Sequence, residues 1–238
     1  MMTARLSSAA SFCSNKSESK VMQPTFYRRT GKRAFDFVFA AAGLLVLSPL
    51  LLGVMLLIKL TSPGPVFYRQ DRVGQDGKIF RIVKFRSMFK DADQRGLLLT
   101  SARDARITAV GRVLRFLKID ELPQLWNVVK GEMSLVGPRP EVPRYVESYS
   151  TVQRSVLVVR PGITDPASIA YRQEEKLLSD QPDPDRYYRE VLLPDKLRMN
   201  LEYLEHISFG YDLFLVLRTT GRILMPKEMP NRPLKSQL

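Results

Sequence analysis

At 238 residues, 45% of them hydrophobic, the chain suits one domain with an appendage and is too short for two full-sized independent ones. A single cysteine, Cys13, excludes an internal disulfide framework. With a single histidine, His206, beside it, a Cys/His zinc site or a histidine-based triad is a poor fit, so acid, base and nucleophile work falls to carboxylates. Lys and Arg number 37 against 24 Asp and Glu, and the net charge of +13 favours an anionic partner: nucleic acid, anionic lipid or a phosphorylated substrate.

Residues 1–26 are rich in serine and show neither helical nor strand periodicity, which predicts a disordered polar tail containing Cys13. Arg28, Arg29, Lys32 and Arg33 then form a basic collar, and the 22 residues from Phe37 to Ile58 contain no charge. A helix needs about 20 such residues to cross a hydrocarbon core of about 30 Å. A cleaved signal peptide fits poorly: the run and its leader are too long, and no small-residue cleavage site follows. Ser48-Pro49 lies near the middle. Pro49 removes a backbone donor and bends the helix, and the Ser48 hydroxyl can satisfy the freed carbonyl. Lys59, Arg69 and Arg72 make the far flank basic as well. The positive-inside rule assigns one such flank to the cytoplasm. A re-entrant helix that breaks at Ser48-Pro49 and returns satisfies both flanks. An ordinary kinked spanning helix and a fully buried soluble helix are the alternatives.

Thr61 to Pro65 reads as a loop. Val66-Phe67-Tyr68 and Lys78 to Arg86 read as strands around a turn at Gly74 to Gly77, with Lys84 and Arg86 on one face. Residues 90–106 form a polar, charged loop. Val110, Val113, Leu114 and Leu117 have amphipathic helical spacing, with Arg112 and Arg115 on the same element. Asp120-Glu121-Leu122-Pro123 reads as a second helix start, and Gly131 as its end. Val136-Gly137-Pro138-Arg139-Pro140 is a stiff turn. Residues 183–206 are helical in period. Residues 211–224 are apolar with Arg218 and Arg222 interspersed, as in a core or interfacial helix. No repeat and no linker between two cores is visible.

The adjacent carboxylates Asp120 and Glu121 are the sharpest chemical candidates. Most such pairs are solvated or cap helices. In positive potential at a helix start, however, an ionised Asp can attack a phosphoryl group, and its neighbour can hold Mg²⁺, which prefers hard oxygens and phosphates. Lys84, Arg86, Arg115, Arg139 and Arg160 would stabilise the transferring phosphate. Neither a G-x-x-x-x-G-K-[ST] loop nor a G-x-G-x-x-G turn between strand and helix is present. No nucleic-acid reader signature appears, and the apolar segment argues against one.

The chain resembles the bacterial sugar transferase family, the small monotopic polyprenyl-phosphate phosphoglycosyl transferases. The likeness runs from about Arg28 to Gly221. It covers Lys32 to Asp36, Ser48-Pro49, Gly64 to Phe67, Gln70, Arg72, Gly74 and Gly77, and Lys84-Phe85-Arg86-Ser87-Met88. It continues through Ile119 to Asn127, Gly131 to Pro140 and Arg160-Pro161-Gly162-Ile163-Thr164. The resemblance implies an α+β, mainly helical fold. A re-entrant membrane helix (27–60) packs on a small cytoplasmic catalytic domain (61–225) with short strands and amphipathic interfacial helices, and a C-terminal tail follows (226–238). The location implied is the bacterial inner membrane, with the catalytic domain facing the cytoplasm.

The resemblance further implies that Asp120 attacks the β-phosphate of a UDP-sugar, releases UMP and passes the phospho-sugar to polyprenyl phosphate. Glu121, with Asp120, would position Mg²⁺. Arg115 and Arg160 would bind phosphate, with weaker carry-over for Lys84, Arg86 and Arg139. The implied partners are the donor, the acceptor and anionic lipid, with a homodimer or glycan-assembly partners also open, and no nucleic acid. A non-catalytic scaffold of a glycan-assembly complex is the runner-up, and the intact carboxylate pair argues against it. Family members commonly continue Pro-Gly-Ile-Thr with Gly-Trp-Ala-Gln. Asp165-Pro166-Ala167-Ser168 stands there instead, which leaves the sugar pocket open. With only a short polar tail before the anchor, the chain resembles the small, catalytic-domain form.

Overall fold

The computed structural model describes residues 27–90, Ala92 and residues 104–224. The expected polar tail with Cys13, most of the 90–106 loop and the C-terminal tail lie outside the described residues.

Helix α1 is Lys32–Thr61, 30 residues long, or about 45 Å at 1.5 Å per residue. It is the one described helix long and apolar enough to cross a membrane. The helix runs through Ser48-Pro49, with Pro49 inside it. In an α-helix the residue at 49 would donate to the Leu45 carbonyl, and Pro49 has no N–H to give. Ser48 Oγ donates to that carbonyl instead, at 2.7 Å, so the helix continues without an orphaned acceptor.

One stripe of α1 meets the rest of the chain. Asp36, Ala40, Val54 and Ile58 are buried, and Leu51 packs partly buried beside them. This is a 3.6-residue period that the uniformly apolar sequence conceals. Leu45, Val46 and Leu60 on the other faces are about three-quarters exposed. The start of α1 is pinned by charge. Asp212, fully buried, accepts from Tyr27 Oη at 2.7 Å, Lys32 Nζ at 2.5 Å and Tyr203 Oη at 2.7 Å. Asp36 Oδ1 accepts from the Leu135 amide at 3.0 Å.

Strands β1 (Phe67–Val73) and β2 (Ile79–Phe85) form the expected antiparallel hairpin, with Phe67 opposite Phe85 and Val73 opposite Ile79. Helix α2 is Ala109–Phe116, capped by Thr108 Oγ1, which accepts from the Gly111 amide at 2.9 Å. The sequence spacing put four residues of α2 on one buried face. Leu114 is buried and Val110 packs partly buried against the same cluster, whereas Val113 and Leu117 are exposed.

Lys118, with φ +56°, turns the chain into a single 3₁₀ turn at Ile119–Glu121. Helix α3 (Gln124–Lys130) follows, so the carboxylate pair sits in the turn before the helix rather than in its first turn. Gly131, at φ +86°, ends α3 as expected. The last carbonyls of α3, on Val128 and Val129, receive the Arg33 guanidinium at 2.6 and 2.7 Å, which ties the base of α1 to this helix end.

Strands β3 (Ser134–Val136) and β4 (Gly162–Thr164) form a parallel pair that periodicity did not reveal, because each is three residues long. Between them lie the one-turn helices α4 (Pro143–Val146) and α5 (Thr151–Arg154). After β4 come α6 (Pro166–Ala170) and α7 (Glu174–Ser179). Helix α8 (Pro184–Tyr187) then runs through a π turn into α9 (Leu193–Glu205), and α10 is Phe209–Leu224. The core gathers around α9: Leu192, Leu193 and Leu197 meet Tyr145, Val146 and Val156 on one side. Tyr203 and Leu204 meet Val136, Ile169 and Leu215 on the other. The fold is mostly helical with a few short strands, as expected.

Candidate active site

The 3₁₀ turn, β2 and the turn after β3 converge on the carboxylate pair. Glu121 Oε1 accepts from Lys84 Nζ at 2.8 Å and from Arg139 Nη2 at 2.5 Å, and Oε2 accepts from Arg139 Nη1 at 3.2 Å. Burial alone would raise Glu121, but Arg139 and Lys84 overcome it and hold the carboxyl well below the usual range. Arg139 is raised by the same contact, and burial lowers Lys84 against the pull of Glu121.

Asp120 is in the opposite state. It is buried, its Oδ1 has no hydrogen-bond partner, and burial followed by the neighbouring Glu121 charge pushes its carboxyl up. Lys84, Lys118 and Arg115 act against that rise. Two adjacent carboxylates are therefore driven apart: Glu121 is locked in an ion-pair network, and Asp120 is left with an unshared oxygen among cations.

A cavity of about 320 Å³ opens beside Glu121 and is lined in part by Arg72, Arg115, Lys118, Arg139, Arg172 and Arg222. The expected phosphate binders divide. Lys84 and Arg139 meet Glu121, and Arg115 lies on the cavity wall, where it donates to Glu175 of α7. Arg86 does not join them. It is buried and donates to Ser62 O at 2.8 Å and Ser62 Oγ at 2.6 Å, bracing the loop after α1. Lys84 and Arg86 therefore serve different partners, Lys84 on β2 and Arg86 just past its end at Phe85. Arg160 is half-buried before β4 and does not line the cavity.

Sequence reasoning missed a second polar layer. Lys196 of α9 is buried, donates to Glu174 at 3.0 Å and to Tyr188 Oη at 3.3 Å, and lies 3.8 Å from Glu141. Tyr188 Oη donates to Glu141 at 2.5 Å. Despite burial, Glu174 and Glu141 raise Lys196. These groups lie 8 to 55 residues apart in sequence, and no local spacing signals them. The sequence did single out Asp165, although as a departure. Its side chain accepts from the Ser168 amide as the cap of α6, with Pro166 at the first helical position.

Among the described residues no group of three or more His, Cys, Asp or Glu side chains is placed to hold a metal ion, and Asp120 offers a buried, unshared Oδ1. Both Glu121 oxygens already accept hydrogen bonds from cations.

Residues 27–226 match the family described as bacterial sugar transferase, and the chain belongs to that family. It is 38% identical over 196 residues to the UDP-N-acetylgalactosamine-undecaprenyl-phosphate N-acetylgalactosaminephosphotransferase of Aeromonas hydrophila, covering 81% of this chain and 43% of that one. It is 38% identical to the UDP-glucose:undecaprenyl-phosphate glucose-1-phosphate transferase of Escherichia coli, over 79% of this chain and 39% of that one. Against the exopolysaccharide production protein ExoY of Sinorhizobium fredii it is 34% identical, with 82% and 86% covered. The chain thus spans about two-fifths of the length of the first two relatives and most of the third.

Proposed function

We propose that the protein transfers a sugar-1-phosphate from a UDP-sugar to polyprenyl phosphate. The observation that carries this reading is the split carboxylate pair: a buried Asp120 with an unshared oxygen beside a Glu121 clamped by two cations. Asp120 Oδ1 attacks the β-phosphorus of the donor. The new aspartyl O–P bond forms as the bridging P–O bond to UMP breaks, and UMP leaves. A phosphate oxygen of the polyprenyl acceptor then attacks the same phosphorus and returns the Asp120 carboxylate. The names of the Aeromonas and Escherichia relatives support this donor and acceptor. Arg115 and Arg139 face the cavity, where they can balance the charge on the transferring phosphate. Glu121, with Asp120, would hold Mg²⁺, which would supply Lewis-acid charge neutralisation for the transferring phosphate.

The same reading holds the protein at the bacterial inner membrane with both ends of α1 on the cytoplasmic face. Arg33 and Asp36 dock near one end of α1 and Ile58 near the other, with Gly43 against Leu125 and Leu51 packed between. A helix crossing the bilayer would carry one of these docking points through about 30 Å of hydrocarbon. The exposed Leu45, Val46 and Leu60 then lie in lipid. A second cavity, of about 540 Å³, lies between α1, the hairpin and α3. Leu44, Met55 and Phe67 line it together with Arg69, Arg81 and Lys130, a combination suited to anionic lipid.

The experiment is UMP release from a panel of UDP-sugars with purified protein, Mg²⁺ and undecaprenyl phosphate, wild type beside Asp120→Ala. Release with one sugar, lost in the variant, is the expected result. Release that survives in Asp120→Ala would put the nucleophile elsewhere, and no release with any sugar would overturn the reading.

A further inference from the structure

We infer that Asp165 is a positioning residue for Arg139: its carboxylate holds the Pro138-Arg139-Pro140 turn so that the Arg139 guanidinium stays on Glu121. The inference rests on reading Asp120 and Glu121 as the phosphoryl-transfer site.

Asp165 is fully buried. Its Oδ2 accepts from the Arg139 amide at 2.8 Å and from Asn200 Nδ2 at 3.4 Å, and its Oδ1 accepts from the Ser168 amide. No lysine or arginine side chain forms an ion pair with it among the described residues. A buried carboxylate persists in such a place when backbone amides satisfy it, and these two amides come from segments 29 residues apart in sequence. Pro138 and Pro140 have no N–H, so the Arg139 amide is the only backbone donor in the three-residue turn, and Asp165 takes it.

The rest of the turn is held against the same segment. The Gly137 amide donates to Thr164 O at 3.0 Å, and the Gly162 amide donates to Pro138 O at 2.9 Å. A Cβ on Gly137 would lie 2.5 Å from Arg160 O, so the two chains touch without slack. One segment, Gly162 to Asp165, thereby fixes the backbone on both sides of Arg139. A long side chain on a fixed backbone has fewer states in which to miss Glu121, and an ångström of misplacement at a transfer site can cost about a hundredfold in rate. Asp165 faces the turn, not the substrate, so its effect belongs in kcat.

The test is a double-mutant comparison in UMP release with the full-length protein. Asp165→Ala is expected to lower kcat about 10- to 100-fold with KM for the donor changed less than about threefold. In an Arg139→Ala background the same change is expected to lower kcat by less than about twofold further, because the group it acts through is gone. Single effects that multiply in the double variant would overturn the inference. Asp165→Asn, which keeps one carbonyl acceptor, should recover part of the rate, and it makes the same comparison if Asp165→Ala does not fold.

Hydrogen exchange gives a readout independent of turnover. In a peptide spanning residues 137–141, exchange should quicken in Asp165→Asn while peptides from α9 beyond Asn200 stay unchanged. Unchanged exchange at 137–141 would also overturn it. A wild type that releases no UMP would count against the transfer reading alone, since exchange still reports the hold on the turn.

Discussion

Glu121→Gln tests the ion-pair network directly. Glu121 takes three hydrogen bonds from two cations, at 2.8, 2.5 and 3.2 Å, and its side chain is 12% exposed. The amide of glutamine carries no charge, and its NH₂ would turn a donor toward Lys84 or Arg139. Removing one partner of a buried ion pair costs about 3–5 kcal/mol, because the other charge stays buried. Arg139 is 31% exposed and can recover some hydration, which favours the low end, about 3 kcal/mol. For a chain of this size each kcal/mol moves Tm by about 2–4 °C, so the variant should melt about 6–12 °C lower. Trp126, the single tryptophan, sits on α3 just past the site and reports the melt by its fluorescence. UMP release should fall at least a hundredfold in the same preparation. A Tm within about 1 °C of wild type would refute the buried-network reasoning. A lower Tm with normal turnover would leave Glu121 as scaffolding only.

Asp120→Asn should act in the opposite direction on stability. The folded carboxyl is raised, so the ionised form costs stability as pH rises through the folded pKa, and that cost is absent below the unfolded value near 3.8. At pH 7 the Asn variant should therefore melt at or above wild type, with the gap closing toward pH 4, while turnover is lost. Turnover of the wild type should fall on the acid side at a pH above 3.8, as Asp120 protonates, and an acid limb that moved with a donor analogue of shifted phosphate pKa would belong to the donor instead. Glu121 contributes the reverse: its folded pKa is depressed, so its stabilisation is present above about 4.5 and is lost as pH falls through the lower folded value. Gly162→Ala should destabilise by about 3 kcal/mol or more, since a Cβ there overlaps the Gly137 backbone, and a melt equal to wild type would mean the β3–β4 contact is looser than described.

The parts of the site that lie close together in sequence were legible. Asp120 and Glu121 are adjacent, and Arg139 sits between two prolines, so type and spacing marked all three. Their roles were not legible, because roles depend on which cation reaches which oxygen. Lys84 and Arg86 alternate on one strand and should share a partner, but β2 ends at Phe85, and Arg86 swings back to Ser62. Arg115 was marked as a phosphate binder, yet it donates to a carboxylate 60 residues away, on a helix of six residues. The Glu141–Tyr188–Lys196 layer comes from three segments with nothing in common locally, and only the fold brings it behind the cavity.

Helix α1 shows the same limit from the other side. Its composition announced a lipid-facing segment, but a run without charge carries little contrast from which to read a face. The side that packs is set by small residues: Ala40 is fully buried, and a Cβ added to Gly43 would lie 3.4 Å from Leu125 of α3, so α3 approaches where side chains are shortest. The charged ends then decide the geometry. Arg33 on the α3 carbonyls and Asp36 on the Leu135 amide fix one end, and Arg86 on Ser62 fixes the loop at the other. Hydropathy measures what a segment would gain in lipid, whereas these polar contacts set where its ends must stay. Both flanks are basic, and the collar at Lys32 and Arg33 is tied down by the domain itself, to Asp212 and to the end of α3. Replacing Arg33 and Lys32 with alanine should free that end, and a cysteine placed in the collar should then become reactive from the outer face, whereas in the native sequence it should react only from the cytoplasmic side.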